Sequence, residues 1–167
     1  MEIRRLGPDD ATQYRALRIR ALWEFPEAFT SSYDEFEKQP IEVSEVRLSG
    51  ENTVFWGAFE GGVLSGMVGM ERETRPKARH KATVVGMYVS QEYFGTGMGR
   101  ALIDALIDHA KEIGIELLVL TVTEGNTVAT NFYGAVGFRS FGIEPRAMKV
   151  DGRPFAKNHM YLEFVPS

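Results

Sequence analysis

The chain has 167 residues, 44% hydrophobic and 25% charged, which suits one globular domain with a full-sized core. A formal net charge of −4 argues against a nucleic-acid partner and is compatible with a cationic substrate. Zero cysteines exclude disulfides, a thiol nucleophile and an acyl-cysteine intermediate; His80, His109 and His159 form no ligand-like pair, so no metal site is expected. No apolar run reaches the roughly 18 residues of a transmembrane helix, and MEIRRL at the start lacks the apolar stretch of a secretion signal. The expectation is a cytoplasmic protein with no membrane partner.

Residues 3–6 read as a first strand. Pro8, Asp9 and Asp10 start a helix whose apolar positions are Tyr14, Leu17, Ala21 and Leu22. Arg15, Arg18 and Arg20 share that helix and read as a solvated face. Residues 25–32 are turn-like, 33–38 form a helical turn, and Pro40 leads into a helix with Ile41, Val43, Val46 and Leu48 on an apolar face. Residues 53–59 and 63–71 are strands joined at Gly61 and Gly62, a hairpin, and the charged stretch 72–81 is a solvent loop.

The segment 83–114 organises the rest. Val84, Val85, Met87, Tyr88 and Val89 make a strand, Gly95, Gly97 and Gly99 a loop, and Leu102, Ala105, Leu106, Ala110 and Ile113 the apolar face of a helix that Gly114 ends in a left-handed cap. Residues 117–122 are a buried strand, and Asn126 opens a short helix with Ala129, Phe132 and Tyr133. Gly137 and Phe138 start the next strand. Residues 139–164 read as two strands around a hairpin at Val150, Asp151, Gly152 and Arg153. There is no repeat or linker, so residues 1–167 read as one domain. The order predicts an α/β fold: a mixed sheet flanked by helices, antiparallel in its first half, with a parallel crossover at the glycine loop.

A strand, a glycine loop and a helix start together aim bare backbone N–H groups at an anion. The spacing Gly95-Thr96-Gly97-Met98-Gly99-Arg100 fits neither a dinucleotide fingerprint nor a P-loop. It resembles the acetyl-CoA pyrophosphate loop of the GCN5-related N-acetyltransferase (GNAT) family, [Q/R]-x-x-G-x-G/A. Phe94 stands where the Arg or Gln is expected if the match is read to Gly99, and Glu92 if it is read to Gly97. The segment 126–138 (NTVATNFYGAVGF) resembles the family's second pattern, N-x-x-A-x-x-[F/L]-Y-x-x-x-G-F, at the usual distance after the loop.

The resemblance implies a GNAT-like fold in which the central parallel strands splay apart and take acetyl-CoA as the acetyl donor. Backbone groups of Met87, Tyr88 and Val89 would meet its pantetheine arm, and the amides of Gly95, Thr96, Gly97, Met98, Gly99 and Arg100 its diphosphate. The Arg100 side chain would add charge there or pair with Asp104. Asn126 and Asn131 would orient ligand or serve as caps and turn residues, and Tyr133 would donate to the departing thiolate. Where several relatives carry a glutamate base, this chain has Thr83, which leaves Glu71 first, then Glu73, His80 and Glu124, as candidates. Tyr14, Arg18, Phe29 and Tyr33 are candidates for the acceptor wall or for core. The expected activity is acetyl transfer to a primary amine of a small molecule or peptide by direct attack in a ternary complex. A non-catalytic acyl-CoA sensor is the alternative. A homodimer stays open.

Overall fold

β-prone runs in the middle of the chain form the centre of one sheet. A computed structural model describes residues 1–164. Its strands are β1 (Glu2–Arg5), β2 (Thr53–Glu60), β3 (Val63–Arg72), β4 (Lys81–Val89), β5 (Leu117–Thr123), β6 (Arg139–Val150) and β7 (Arg153–Glu163). They make a seven-stranded sheet in the order β1-β2-β3-β4-β5-β7-β6. Helices α1 (Ala11–Glu24), α2 (Tyr33–Glu37) and α3 (Ile41–Ser49) precede β2, α4 (Met98–Glu112) joins β4 to β5, and α5 (Thr127–Val136) precedes β6. Neighbouring strands are antiparallel except β4 and β5, which α4 connects as a parallel crossover.

Each face of the sheet carries its own core. Leu102, Leu106 and Ala110 of α4 cluster with Val68, Met70, Val84 and Leu118 on one side. Tyr14, Leu17 and Ala21 of α1 cluster with Phe55, Met67 and Tyr88 on the other. β2 and β3 are covered on both faces, which is why they read as nearly continuous apolar runs. α4 ends as its sequence predicts: Gly114 takes φ +82°, and the Ile115 N–H closes back on the Ala110 carbonyl at 2.9 Å.

β4 departs from simple alternation for a physical reason. Met67 pairs with Tyr88 and Gly69 with Val85, so two residues of β4, Gly86 and Met87, oppose one of β3. That is a β-bulge, and Gly86 supplies its positive φ of +62°. The extra residue flips the alternation: Val84, Met87 and Val89 pack on the α4 side, while Val85 and Tyr88 pack on the α1 side.

Several sequence expectations are corrected here. Pro8–Asp10 is a separate 3-10 turn, and the Asp10 carboxylate accepts from the Gly7 N–H at 2.8 Å and from Arg4 at 2.8 and 2.9 Å. Val43 and Val46 are exposed; the buried positions of α3 are Ser44 and Leu48, with Ile41 partly covered, which is the stripe that helical spacing places together. Tyr14 is fully buried core, not acceptor wall, because α1 lays it edge-on against Phe55. The arginines of α1 are not a solvated face. Arg15 donates to the Glu37 and Gln39 carbonyls, Arg20 bridges Glu24 and Glu92, and Arg18 is buried. Among the described residues no helix is long and apolar enough to cross a membrane.

Candidate active site

Parallel pairing between β4 and β5 covers only Lys81, Ala82 and Thr83 against Leu117, Leu118 and Val119. Beyond that the strands part, with the Gly86 bulge bending β4 at the point of separation. A fork opens, and along it the β5-facing edge of β4 over residues 84–89 has no strand partner. Met87, Tyr88 and Val89 lie on that stretch. The Tyr88 phenol points away from the α4 side and donates to Glu24 Oε2 at 2.6 Å. Burial first, and this bond second, push the phenol well above its ordinary pKa. Arg20 holds the Glu24 carboxylate below the usual range and ties α1 to the turn after β4.

The glycine loop closes one end of the fork. Gly95 and Gly97 take φ of +74° and +89°, and a Cβ at either would meet only open space. Gly97 gives α4 no side-chain cap, and the first backbone bond there is Ala101 N–H to the Gly97 carbonyl, 3.0 Å. The amides of Met98, Gly99 and Arg100 therefore face out at the positive end of a 15-residue helix. Thr96 differs from its neighbours: its N–H and its hydroxyl both donate to the Tyr93 carbonyl, at 3.3 and 2.6 Å. Arg100 pairs with Asp104 at 3.0 Å in the exposed i,i+4 geometry, and Phe94 is exposed beside the loop. At Gly99 a Cβ would stand 3.2 Å from Met87 and 3.5 Å from Phe132, so its absence lets α4, β4 and α5 converge.

α5 carries the second motif. Asn126 caps it, its Oδ1 accepting the Ala129 N–H at 3.1 Å, which makes Asn126 a positioning residue for the helix. Asn131 is exposed on α5. Tyr133 is buried between Phe132 and Phe138, ring centroids 5.1 and 5.6 Å away. Desolvation alone pushes its phenol upward in pKa, so it keeps its proton at neutral pH.

The opposite face of the fork is built from side chains. Glu71 pairs in register with Thr83, and its carboxylate accepts from Arg47 Nη2 at 3.2 Å. A carboxylate thus stands beside Thr83, supplied by the neighbouring strand. Glu73 and His80 lie at the closed end of the parallel pair, away from the glycine loop, and Glu124 is exposed after β5. A further pair, His159 Nε2 to Glu144 Oε1 at 2.8 Å, sits on β7 and β6. His159 is in register with Thr121 of β5, on the same face as Thr83 and Glu71. Tyr33 stacks edge-on against Trp23, and Phe29 packs at the margin of the α1 core.

Arg18 belongs to this face too. Its guanidinium donates to Ser31 Oγ at 3.2 Å and lies over the Phe36 ring at 5.1 Å. Burial lowers its pKa from the ordinary guanidinium value. Gly86 carried one local signal, a lone glycine inside a strand pattern, which the sequence reading passed over; Arg47, His159 and Glu144 carried none.

The family model described as the Acetyltransferase (GNAT) family matches residues 16–138. The chain belongs to the GNAT family. A Streptococcus pneumoniae GNAT acetyltransferase superposes with a TM-score of 0.88 at 25% identity, covering 98% of this chain and 99% of that one. An acetyltransferase structure from Salmonella typhimurium with its cofactor acetyl-CoA shares the fold, with a TM-score of 0.79 at 20% identity over 100% of this chain and 95% of that one. In sequence, the L-methionine sulfoximine/L-methionine sulfone acetyltransferase of Pseudomonas aeruginosa is 29% identical over 94 residues, 56% of this chain and 55% of that protein. The chain spans about half the length of the curated relatives it matches. The forked mixed sheet and its glycine loop are the GNAT fold that the two sequence motifs imply.

Proposed function

We propose that this protein transfers the acetyl group of acetyl-CoA to a primary amine by direct attack in a ternary complex. The observation that carries the reading is the fork: an unpaired β4 edge running into the outward-facing amides of Met98, Gly99 and Arg100. An extended pantetheine arm suits the first as an added strand, and a diphosphate suits the second. Membership of the GNAT family, and the likeness to a structure holding acetyl-CoA, support the same donor.

The amine attacks as the free base. For an α-amine of pKa near 8, deprotonation at pH 7 costs about 1.4 kcal/mol; for a lysine-like amine it costs about 4.6 kcal/mol. Glu71 and the His159–Glu144 pair are the groups on the acceptor face that can take the proton. The nitrogen adds to the thioester carbonyl and gives up its surplus proton to the same acceptor-face groups or to water. The intermediate collapses, the C–S bond breaks, and coenzyme A leaves as a thiolate that takes a proton from solvent. A thiol has an ordinary pKa near 8.5. The Tyr133 phenol holds its proton more tightly than that, so it serves by hydrogen-bonding the thiolate rather than by surrendering the proton. Absence of cysteine is consistent with direct transfer.

The experiment is CoA release from acetyl-CoA across polyamines, amino acids, aminoglycosides and peptide N-termini. Release with at least one amine class is expected. Tight acetyl-CoA binding with no release from any class would instead support the sensor reading.

A further inference from the structure

Acetyl transfer leaves Arg18 without a role. α1 buries this arginine to 9% exposure, and its only side-chain bond among the described residues is to the neutral Ser31 hydroxyl. Among the described residues no carboxylate touches it, Glu71 and Glu35 acting only from a distance, and a guanidinium kept dry without a contacting anion is unfavourable unless something supplies one. The surroundings indicate where that anion sits. Arg18 and Arg47 line one cavity of about 150 Å³ between α1, α2 and α3, together with Ser31, Gln39 and Ser44. Arg47 Nε is sealed from solvent and has no hydrogen-bond partner among the described residues. Arg18 Nη1 stands 3.8 Å from the point where a Cβ on Gly86 would be, at the bulge where β4 leaves β5. Arg18 therefore spans from the cavity to the bulge where the fork begins.

The chemistry of the anion follows from shape and charge. Planar guanidinium forks match a carboxylate in two-point contact. Glu71 already takes one nitrogen of Arg47 and the exposed Glu35 also lines the cavity, so two carboxylates formally offset the two guanidiniums, and the unfilled N–H donors of Arg18 and Arg47 suit one carboxylate better than a phosphate dianion. The volume admits a carboxylate and a few waters, not a nucleotide.

We propose that Arg18 and Arg47 anchor a carboxylate on the acceptor, which makes the acceptor a carboxylate-bearing amine of amino-acid type with its nitrogen presented to the fork. The amine rests on the acetyl-transfer reading above; the carboxylate rests on the cavity. The test compares CoA release from twenty L-amino acids, their α-carboxamides and simple alkylamines, with native protein and Arg18→Met. At least one acid should exceed its amide by about thirtyfold or more in kcat/KM, and Arg18→Met should reduce that preference to within about threefold, chiefly through KM for the acid. Methionine fills the volume without charge, so the melting temperature should hold or rise. If that variant unfolds, Arg47→Gln makes the same comparison. Amides used as well as acids, or a preference that survives both variants, overturns the anchor and leaves acetyl transfer standing. If no amine releases CoA, acetyl transfer falls, and calorimetry with the N-acetyl forms of the same amino acids decides the anchor alone. Binding of an acid that is absent for its amide and lost in Arg18→Met upholds it; no binding, or equal binding of acid and amide, overturns it.

Discussion

The two faces of the fork offer different means of recognition. On the α4 side the recognition elements are backbone: an unpaired strand edge and helix-start amides, with the nearest charge, Arg100, already paired to Asp104. On the α1–α3 side they are side chains: Arg18, Arg47, Glu71 and the His159–Glu144 pair, drawn from separate elements onto one surface. Backbone recognition fixes one ligand shape and tolerates few changes in φ. Side-chain recognition is set by charge and can be retuned one residue at a time. On the proposed reading the donor half is therefore rigid in design, and the acceptor half is where specificity would reside.

Substitutions can break this division or sharpen it. The largest effect is expected at the loop. Gly97→Val forces a β-branched residue to φ +89° and should weaken acetyl-CoA binding at least about a hundredfold, with circular dichroism unchanged. Calorimetry that finds native affinity in that variant would show the loop is not the donor's cradle. Tyr133→Phe removes only a hydroxyl from a ring held between Phe132 and Phe138 and should lower kcat at least about tenfold while acetyl-CoA affinity stays. Full activity would remove Tyr133 from the reaction.

pH separates the faces in another way. Because the attacking species is the neutral amine, log kcat/KM should climb with slope near one from about pH 6 to 8. A plateau from about pH 6 would mean that a tuned group on the acceptor face takes the proton earlier, and Glu71 and His159 are the positions to change first.

Two smaller effects calibrate what the scaffold contributes outside both faces. Asp10, held below its ordinary pKa chiefly by Arg4, contributes stability above its unfolded pKa near 4, lost as pH falls through the lower folded value. Since Arg4 is partly exposed, Asp10→Asn should cost only about 1 kcal/mol at pH 7 and progressively less at a pH acid enough to protonate the folded carboxyl. Equal destabilisation at both pH values would assign the loss to packing instead. Tyr14→Phe deletes a buried hydroxyl that lacks a partner and should raise stability by up to about 1 kcal/mol. A lowered melting temperature would show that this hydroxyl is satisfied, by water for instance.

The same division explains what could be seen in the amino acids alone. Gly95, Gly97, Gly99, Asn126 and Tyr133 lie within short local segments, so their spacing is written in the chain, and the parallel crossover followed from the same stretch. The Gly86 bulge was obscured because its effect is a flip of alternation, visible only once β3 supplies a register. Arg18 read as solvent-facing because α1 has little amphipathic contrast, and nothing local shows that α2 and α3 fold over it. Glu71 and Thr83 become neighbours only through strand pairing, and Arg47 reaches Glu71 from a helix 24 residues away in sequence. Assemblies of this kind carry no spacing rule.

The central claim is that the fork between β4 and β5 is where acetyl-CoA lies. Residue-resolved amide hydrogen exchange, with and without saturating acetyl-CoA, tests it directly. Slowed exchange is expected at unpaired amides within 84–89 and at Met98, Gly99 and Arg100, with little change on the β1–β2 edge. Protection that spares both of the first two stretches, with acetyl-CoA demonstrably bound, would contradict the account.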